Sequence, residues 1–392
     1  MAQLNARRSI GVGTEQLRRH NLSAILTLLH HDGSQPRSAL TAQTGLNRST
    51  VAALVAELAE LGLVHETEPD PTKLVGRPSP TVNTDRRNVA VAINPEVDAV
   101  TVGVVALGGT VVTTVRHETA APPTARDAVE ISAGIIADLA SRLEPGSRIV
   151  GIGMAVPGLV RAADGLVRLA PHLAWIDEPI AAMLADVTGF EVSVGNDARL
   201  GALGEHIYGA GRGYDDLIYL NGGPSGIGGG VIVGGALVGG ASGYAGEFGH
   251  IRGGGPGDVD LESLVRRSEL LAVLGRTAAS ADELEQLVQG SHEPAVLEVV
   301  HAQLAALAPA LGDAVNILNP PLIVLGGFLG AILQRDPGYL TQRVAAQSLG
   351  AAYDDVTITR AGLGSDLLMV GAAELTFARL LADPARFART GD

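Results

Sequence analysis

Arg48, Ser49 and Thr50 place a guanidinium and two hydroxyls in a row, just before apolar residues recur at Val51, Leu54, Val55, Leu58 and Leu61. That spacing predicts a helix with one buried face and a polar first turn. Side chains there can donate to base edges in the major groove, and the helix N-terminus favours a phosphate. Further along, a loop containing Pro69, Pro71 and Lys73 leads to Gly76-Arg77-Pro78. An Arg held extended at such a tip suits the electronegative minor groove of A·T-rich DNA. With Arg37, these make six candidate DNA-contact residues: Arg37, Arg48, Ser49, Thr50, Lys73 and Arg77.

The elements that would position them read as a winged helix-turn-helix. Leu17, Leu22, Ile25, Leu26, Leu28 and Leu29 predict a first helix over 15–31, stopped by Asp32-Gly33. Ser38 is the expected cap of a short second helix ending at Thr44, with Gly45 available for the left-handed position and Asn47 starting the third. Two short strands, 63–66 and 79–82, would flank the wing. Charge agrees with this placement. Residues 1–87 carry ten basic and eight acidic side chains, whereas the whole chain has a net charge of −14, so only the head is basic.

The chain has 392 residues and no cysteine, which excludes disulfides, thiolate nucleophiles and Cys-ligated zinc. No unbroken run of about 18 apolar residues occurs, and Arg7-Arg8 is not followed by an apolar stretch, so neither a membrane span nor a signal peptide is expected. The expected location is cytoplasmic. From Val89 onward the pattern becomes α/β. Strands are expected at 89–93, 99–105, 111–115, 149–155, 191–194, 216–221, 230–233 and 322–325. Helices are expected at 125–143, 180–188, 197–208, 261–274, 281–289 and 294–318. The predicted division is a DNA-binding head with linker, 1–87, and a two-lobed body, 88–392. Its lobes are expected near 88–195 with the C-terminal segment, and 196–320.

Six strings in the body stand out: GIGMAVPGLV (151–160), APHLAW (170–175), GNDARLGALGE (195–205), GIGGGVIVGG (226–235), GYAGEFGH (243–250) and NPPLIVLGG (319–327). Their order and spacing resemble the ROK family of repressors, open reading frames and sugar kinases. The repressor branch of that family carries a winged helix-turn-helix ahead of a kinase-like body. The resemblance implies an actin-like, hexokinase-like fold with a sugar in the interlobe cleft. It also implies sugar-binding roles for Asn196 and Asp197, for Glu247 and His250 of the Gly-Glu-x-Gly-His motif, and for Glu262. Carboxylates and amides suit this task, because they pair with vicinal hydroxyls and reject analogues lacking them. Taken singly, Asn196-Asp197 also reads as a helix cap and His250 as a core histidine.

Two departures from the family's pattern shape the expectation. Where the kinases have Asp-x-Gly-x-Thr, this chain has Ile93-Asn94-Pro95-Glu96-Val97, and where they have Gly-Thr-Gly it has Gly223-Pro224-Ser225-Gly226. Pro95 offers no backbone donor for a phosphate cradle, so kinase activity and an ATP cofactor are not expected. The glycines of 226–230 and the Leu325-Gly326-Gly327 turn then read as structural. The zinc-binding cysteines are also missing between His250 and Glu262, and Asp258 and Asp260 do not rebuild a soft tetrahedral site, so no metal is expected. The resulting expectation is a non-enzymatic, sugar-responsive regulator, a homodimer or homotetramer, whose partners are operator DNA and a sugar or sugar phosphate. The rivals are an active sugar kinase with a DNA-binding head and a ligand-independent repressor. Packing and dimerisation both remain open for the Ala- and Leu-rich helix 294–318.

Overall fold

The computed structural model describes residues 13–68, 79–252 and 259–387. Lys73, Arg77 and Asp258 lie outside the described residues, as do most of the wing loop and the centre of the 251–261 loop.

The head begins with α1 (Thr14–Asp32), which buries Leu22, Ile25, Leu26 and Leu29 and stops at Gly33. Then come β1 (Gln35–Pro36), α2 (Arg37–Thr44) and α3 (Arg48–Glu60). Gly45 closes α2 at φ 69°, where its amide bonds back to the Thr41 carbonyl. Asn47 caps α3, its side chain accepting the Thr50 amide at 2.8 Å. Ser38 is not the cap of α2. Pro36 occupies that position, because the chain enters the helix directly from a strand pair, with the Arg37 amide bonded to the Pro80 carbonyl. Strands β2 (Val64–Thr67) and β3 (Thr81–Thr84) flank the wing in a three-stranded sheet ordered β1-β3-β2.

In the body, β4 (Asn88–Pro95), β5 (Ala99–Ala106) and β6 (Thr110–Glu118) form a meander, followed by α4 (Ala125–Arg142). Strand β7 (Arg148–Val156) returns parallel to β4, and β8 (Leu159–Arg161), β9 (Leu166–Ala170) and β10 (Trp175–Glu178) make a small side sheet. After α5 (Ile180–Thr188), β11 (Val192–Asn196) completes the first five-stranded sheet, β11-β7-β4-β5-β6.

Helix α6 (Asp197–Tyr208) leads into the second lobe. There β12 (Leu217–Gly223), β13 (Gly226–Val233) and β14 (Ala236–Leu237) precede α7 (Leu261–Leu264), α8 (Arg267–Val273), α9 (Ala281–Gly290) and α10 (Pro294–Leu318). The lobe continues through β15 (Leu322–Gly326), α11 (Gly327–Arg335), α12 (Pro337–Gln347), α13 (Gly350–Tyr353) and β16 (Thr357–Arg360). Its sheet runs β14-β13-β12-β15-β16, so this lobe extends to about residue 360, beyond the expected 320. The helix expected over 261–274 is broken at Val265-Arg266, where the backbone is extended and the Arg266 carbonyl accepts from Gln303. Helix α10 is long and apolar enough to cross a membrane by length and composition, yet Val300, Leu304, Leu307, Leu311 and Val315 are buried in this lobe's core.

The chain then returns to the first lobe through α14 (Leu367–Ala382), which packs on β4 and β7. This helix also receives the head. Leu22, Ile25, Leu26 and Leu29 of α1 belong to one continuous apolar cluster with Ala373, Phe377, Leu380 and Leu381 of α14. The boundary near residue 87 is therefore a boundary of topology but not of packing. Head and body share a core.

Candidate functional site

The interlobe cleft forms where β11 ends and α6 begins. Asn196 closes the strand and caps the helix, its Oδ1 accepting the Arg199 amide at 2.9 Å while its Nδ2 donates to the Gly158 carbonyl at 3.1 Å. Thus the helix-cap reading of this pair is satisfied, and one amide N–H of Asn196 is left over for a ligand. Asp197, the first helical residue, accepts the neighbouring Ala198 amide at 2.7 Å. Burial, together with the nearby Glu247 carboxylate, pushes its pKa up to about 6.

The opposite wall is assembled from three segments. Glu247 sits at the start of a single helical turn, Phe248–His250, and burial raises its carboxyl while His250 and Arg199 oppose the shift. Glu262 reaches up from α7 to accept the Ile227 amide at 3.4 Å. Its carboxylate lies where a Cβ on residue 226 would stand, and Gly226 holds φ 122°, so only a glycine leaves room for it. His250 is largely exposed rather than a core histidine, with Nδ1 at 3.7 Å from Asp260 and 3.8 Å from Glu262.

All five residues expected to bind sugar line one cleft of about 170 Å³. That is small beside the several hundred Å³ of drug-sized pockets, and fits a ligand of monosaccharide scale. The lining also includes Pro157, Gly158, His172, Asn221 and Ser225, of which His172, Asn221 and Ser225 add polar atoms not expected from sequence. Among the described residues, no Lys or Arg lines it. Arg199 is the nearby cation, and it is spent on the carbonyls of Gly243 and Val238, bracing the loop that leads to Glu247.

The glycines of β13 serve packing. A Cβ on Gly228 would stand 2.5 Å from that of Ala198, and one on Gly230 would collide with Ala202, so α6 lies directly on the strand. Residues 93–97 form a strand end and a tight turn. β4 stays paired with β5 through Pro95, and the chain turns back at once, with the Glu96 amide bonded to the Ala99 carbonyl at 2.7 Å. The Glu96 carboxylate, raised by burial, accepts from Thr101 and faces Arg116. At the second altered loop, Pro224-Ser225 make the two-residue turn of the β12–β13 hairpin, opposite Glu262.

A zinc ion of the family type does not fit the residues present. His250, Asp260 and Glu262 do bring three donor atoms within 4.8 Å of one another. However, the histidine is exposed, the carboxylates are hard oxygen donors, and Asp260 already caps α7 through the Ser263 amide.

On the head, Arg48 and Ser49 are exposed at the first turn of α3 and Thr50 is half-buried, with Ser49 donating to Asn47 at 2.7 Å. Arg37, the remaining described candidate for DNA contact, pairs its guanidinium at two points with Glu66 of β2, fastening α2 to the wing sheet.

A ROK family profile matches residues 91–379. The chain belongs to the ROK family. Among its relatives is a protein of Caldicellulosiruptor sp. (strain Rt8B.4) described as a candidate xylose repressor, 27% identical across 93% of this chain and 97% of that one. The xylose repressor of Bacillus subtilis (strain 168) is 29% identical over 55% of this chain and 56% of its own. A glucokinase of Streptomyces coelicolor is 29% identical over 70% and 92%. Among solved structures, a ROK family transcriptional regulator, a homolog of the E. coli MLC protein, superposes with TM-score 0.77 at 21% identity, covering 96% of this chain and all of that one. This likeness includes the head, and it establishes the fold. A ROK glucokinase from Streptomyces griseus, solved with glucose and AMPPNP, gives TM-score 0.60 at 26% identity and covers 73% of this chain and 98% of its own.

Proposed function

We propose that this ROK protein is a sugar-responsive transcriptional repressor that binds operator DNA through its head and an unphosphorylated monosaccharide in its cleft. The observation that carries this reading is the cleft itself: Asn196, Asp197, Glu247, His250 and Glu262 converge on it, and among the described residues no Lys or Arg lines it. Three carboxylates suit neutral hydroxyl donors and repel a phosphate, so a free sugar is favoured over a sugar phosphate. The xylose repressors among its relatives make D-xylose the first sugar to try. Exposed Arg48 and Ser49 at the N-terminus of α3 support major-groove contact, and Arg37, Thr50, Lys73 and Arg77 complete the proposed DNA-binding set. Pairing of two heads on a palindromic operator makes a homodimer the proposed minimal unit, acting in the cytoplasm.

The glucokinases among the relatives make catalysis the second reading. Asp197 is retained, but phosphoryl transfer depends on positioning and charge stabilisation. Pro95 has no N–H to offer, and Glu96 puts a carboxylate beside it. We therefore propose a regulator without kinase turnover, without ATP and without zinc. The test is an operator mobility shift at fixed salt with D-xylose, D-glucose and their phosphates, run beside an ATP-turnover assay. A shift altered by one free sugar, with no ADP formed, supports the regulator. Sugar-dependent ADP release overturns it in favour of the kinase, and operator binding indifferent to every sugar favours a ligand-independent repressor.

A further inference from the structure

The head is fastened to the body by a polar cluster at the far end of α6, built from His30 of α1, Tyr208 of α6 and Glu374 of α14. His30 Nε2 lies 2.8 Å from Glu374 Oε1, and the Tyr208 hydroxyl lies 3.0 Å from the same oxygen and 2.9 Å from His30 Nε2. On the other side of the ring, the Gly108 amide donates to His30 Nδ1 at 2.8 Å. That bond settles the tautomer: Nδ1 is an acceptor, so Nε2 carries the proton and points it at Glu374 and Tyr208. The Tyr208 hydroxyl then donates to Glu374, and each of these polar groups is paired. His30 and Glu374 are fully buried, whereas His31 stands at the rim, 3.8 Å from Glu374.

This tautomer also decides against a metal at the same place. His30, His31 and Glu374 are close enough to share an ion, but an imidazole whose Nδ1 accepts an N–H and whose Nε2 bears a proton has no lone pair to give.

What sets the cluster apart from an ordinary domain fastening is the element that carries Tyr208. Helix α6 starts at the cleft with Asn196 and Asp197, and ends twelve residues later, about 18 Å away, at Tyr208. It has no slack along its length. Ala198 and Ala202 sit on Gly228 and Gly230 of β13, and Leu200 lies against Gly371, one turn before Glu374 on α14. Near its end, Glu205 is fully buried and accepts the amides of Ala210, Gly362 and Leu363. A close-packed rod of this kind transmits a displacement of one end to the other, because its packing does not deform gradually.

We propose that the His30–Tyr208–Glu374 cluster is the coupling latch of this protein: sugar seated on Asn196 and Asp197 shifts α6, and Tyr208 at its other end changes how the head is held. The latch has a closed state, the one described, and an open state in which Tyr208 leaves Glu374. Sugar acts by favouring one of the two. Tyr208, His30 and Glu374 are positioning residues, touching neither sugar nor DNA. The inference rests on the sugar-responsive reading above.

The test uses the full-length protein, its operator, and whichever of D-xylose and D-glucose alters operator binding. Two affinities are measured for the wild type, Tyr208→Phe and Glu374→Gln: sugar for the free protein, and operator with and without saturating sugar. A coupling of ordinary size changes wild-type operator affinity by roughly 5- to 150-fold. In Tyr208→Phe the sugar still binds, within about threefold, but the ratio of operator affinities with and without sugar collapses toward one. A merely structural fastening would instead lower both operator affinities together and leave their ratio unchanged, and that result overturns the latch. Should the variants fold poorly, exchange of the Gly108 amide in the wild type decides: its protection must change when sugar is added, and unchanged protection overturns the proposal. If wild-type operator binding ignores both sugars, the sugar-responsive reading itself has failed, an outcome distinct from intact coupling in the variants.

Discussion

The two ends of α6 are built on opposite principles. At the cleft, Asp197 and Glu247 sit half-buried with few donors, and burial pushes both carboxyls upward. At the latch, burial would raise Glu374 too, but the Nε2 proton of His30, aimed at its carboxylate, opposes that shift. One end lacks hydrogen bonds that a polyhydroxylated ligand can supply, while the other already has its donors from within the chain. A group left wanting partners costs stability until something binds, and a group fully served by its neighbours stabilises the fold unaided. A carboxylate's role here follows from its donors rather than from its depth.

The strongest way to break this contrast is Glu374→Ala, which strands the proton of His30 and the hydroxyl of Tyr208 in a buried space. It is expected to destabilise the protein by about 2–6 kcal/mol, read as a lowered denaturation midpoint in urea at unchanged slope. A loss below about 1 kcal/mol would place the head's attachment in apolar packing alone. Next comes Asp197→Ala, expected to weaken sugar binding by at least about 100-fold in calorimetric titration while leaving Tm unchanged or higher, since the ionised carboxylate is disfavoured in the folded protein. A lower Tm with intact sugar binding would reverse the assignment of the two ends.

Gly228→Ala probes the rod between them. Its new methyl would press on Ala198, and the expected cost is about 1–3 kcal/mol, seen by thermal melting, with a weakened sugar response. The smallest effect is that of pH on the cleft. Asp197 protonates as pH falls through about 6, so sugar affinity is expected to drop up to tenfold per unit below that point, as tested by calorimetric titration across that range.

Asn196, Asp197, Glu247 and His250 were legible because each sits in a short local string, and Gly226 and Gly228 mark close approaches that only glycine permits, whereas Asn221 lies in no such string. Helices α5, α6 and α10 have the expected bounds, since Gly189, Asn196 and Pro294 punctuate them locally. The latch was not legible: His30 and Glu374 are 344 positions apart, and nothing near either residue names the other. Helix α14 escaped for a related reason. Met369, Val370, Gly371, Ala372 and Ala373 are buried in succession, so it has no polar stripe for periodicity to detect. The short strands β8–β10 lack the length to register as alternation, and the pairing of Arg37 with Glu66 depends on a sheet register that composition does not encode.

The core shared by head and body has a consequence for how the protein is made. The apolar face of α1 is synthesised well before α14, which covers part of it. A nascent chain therefore carries Leu22, Leu26 and Leu29 incompletely sheltered until α14 has been made. Products truncated ahead of α14 would keep a sticky, unseated head.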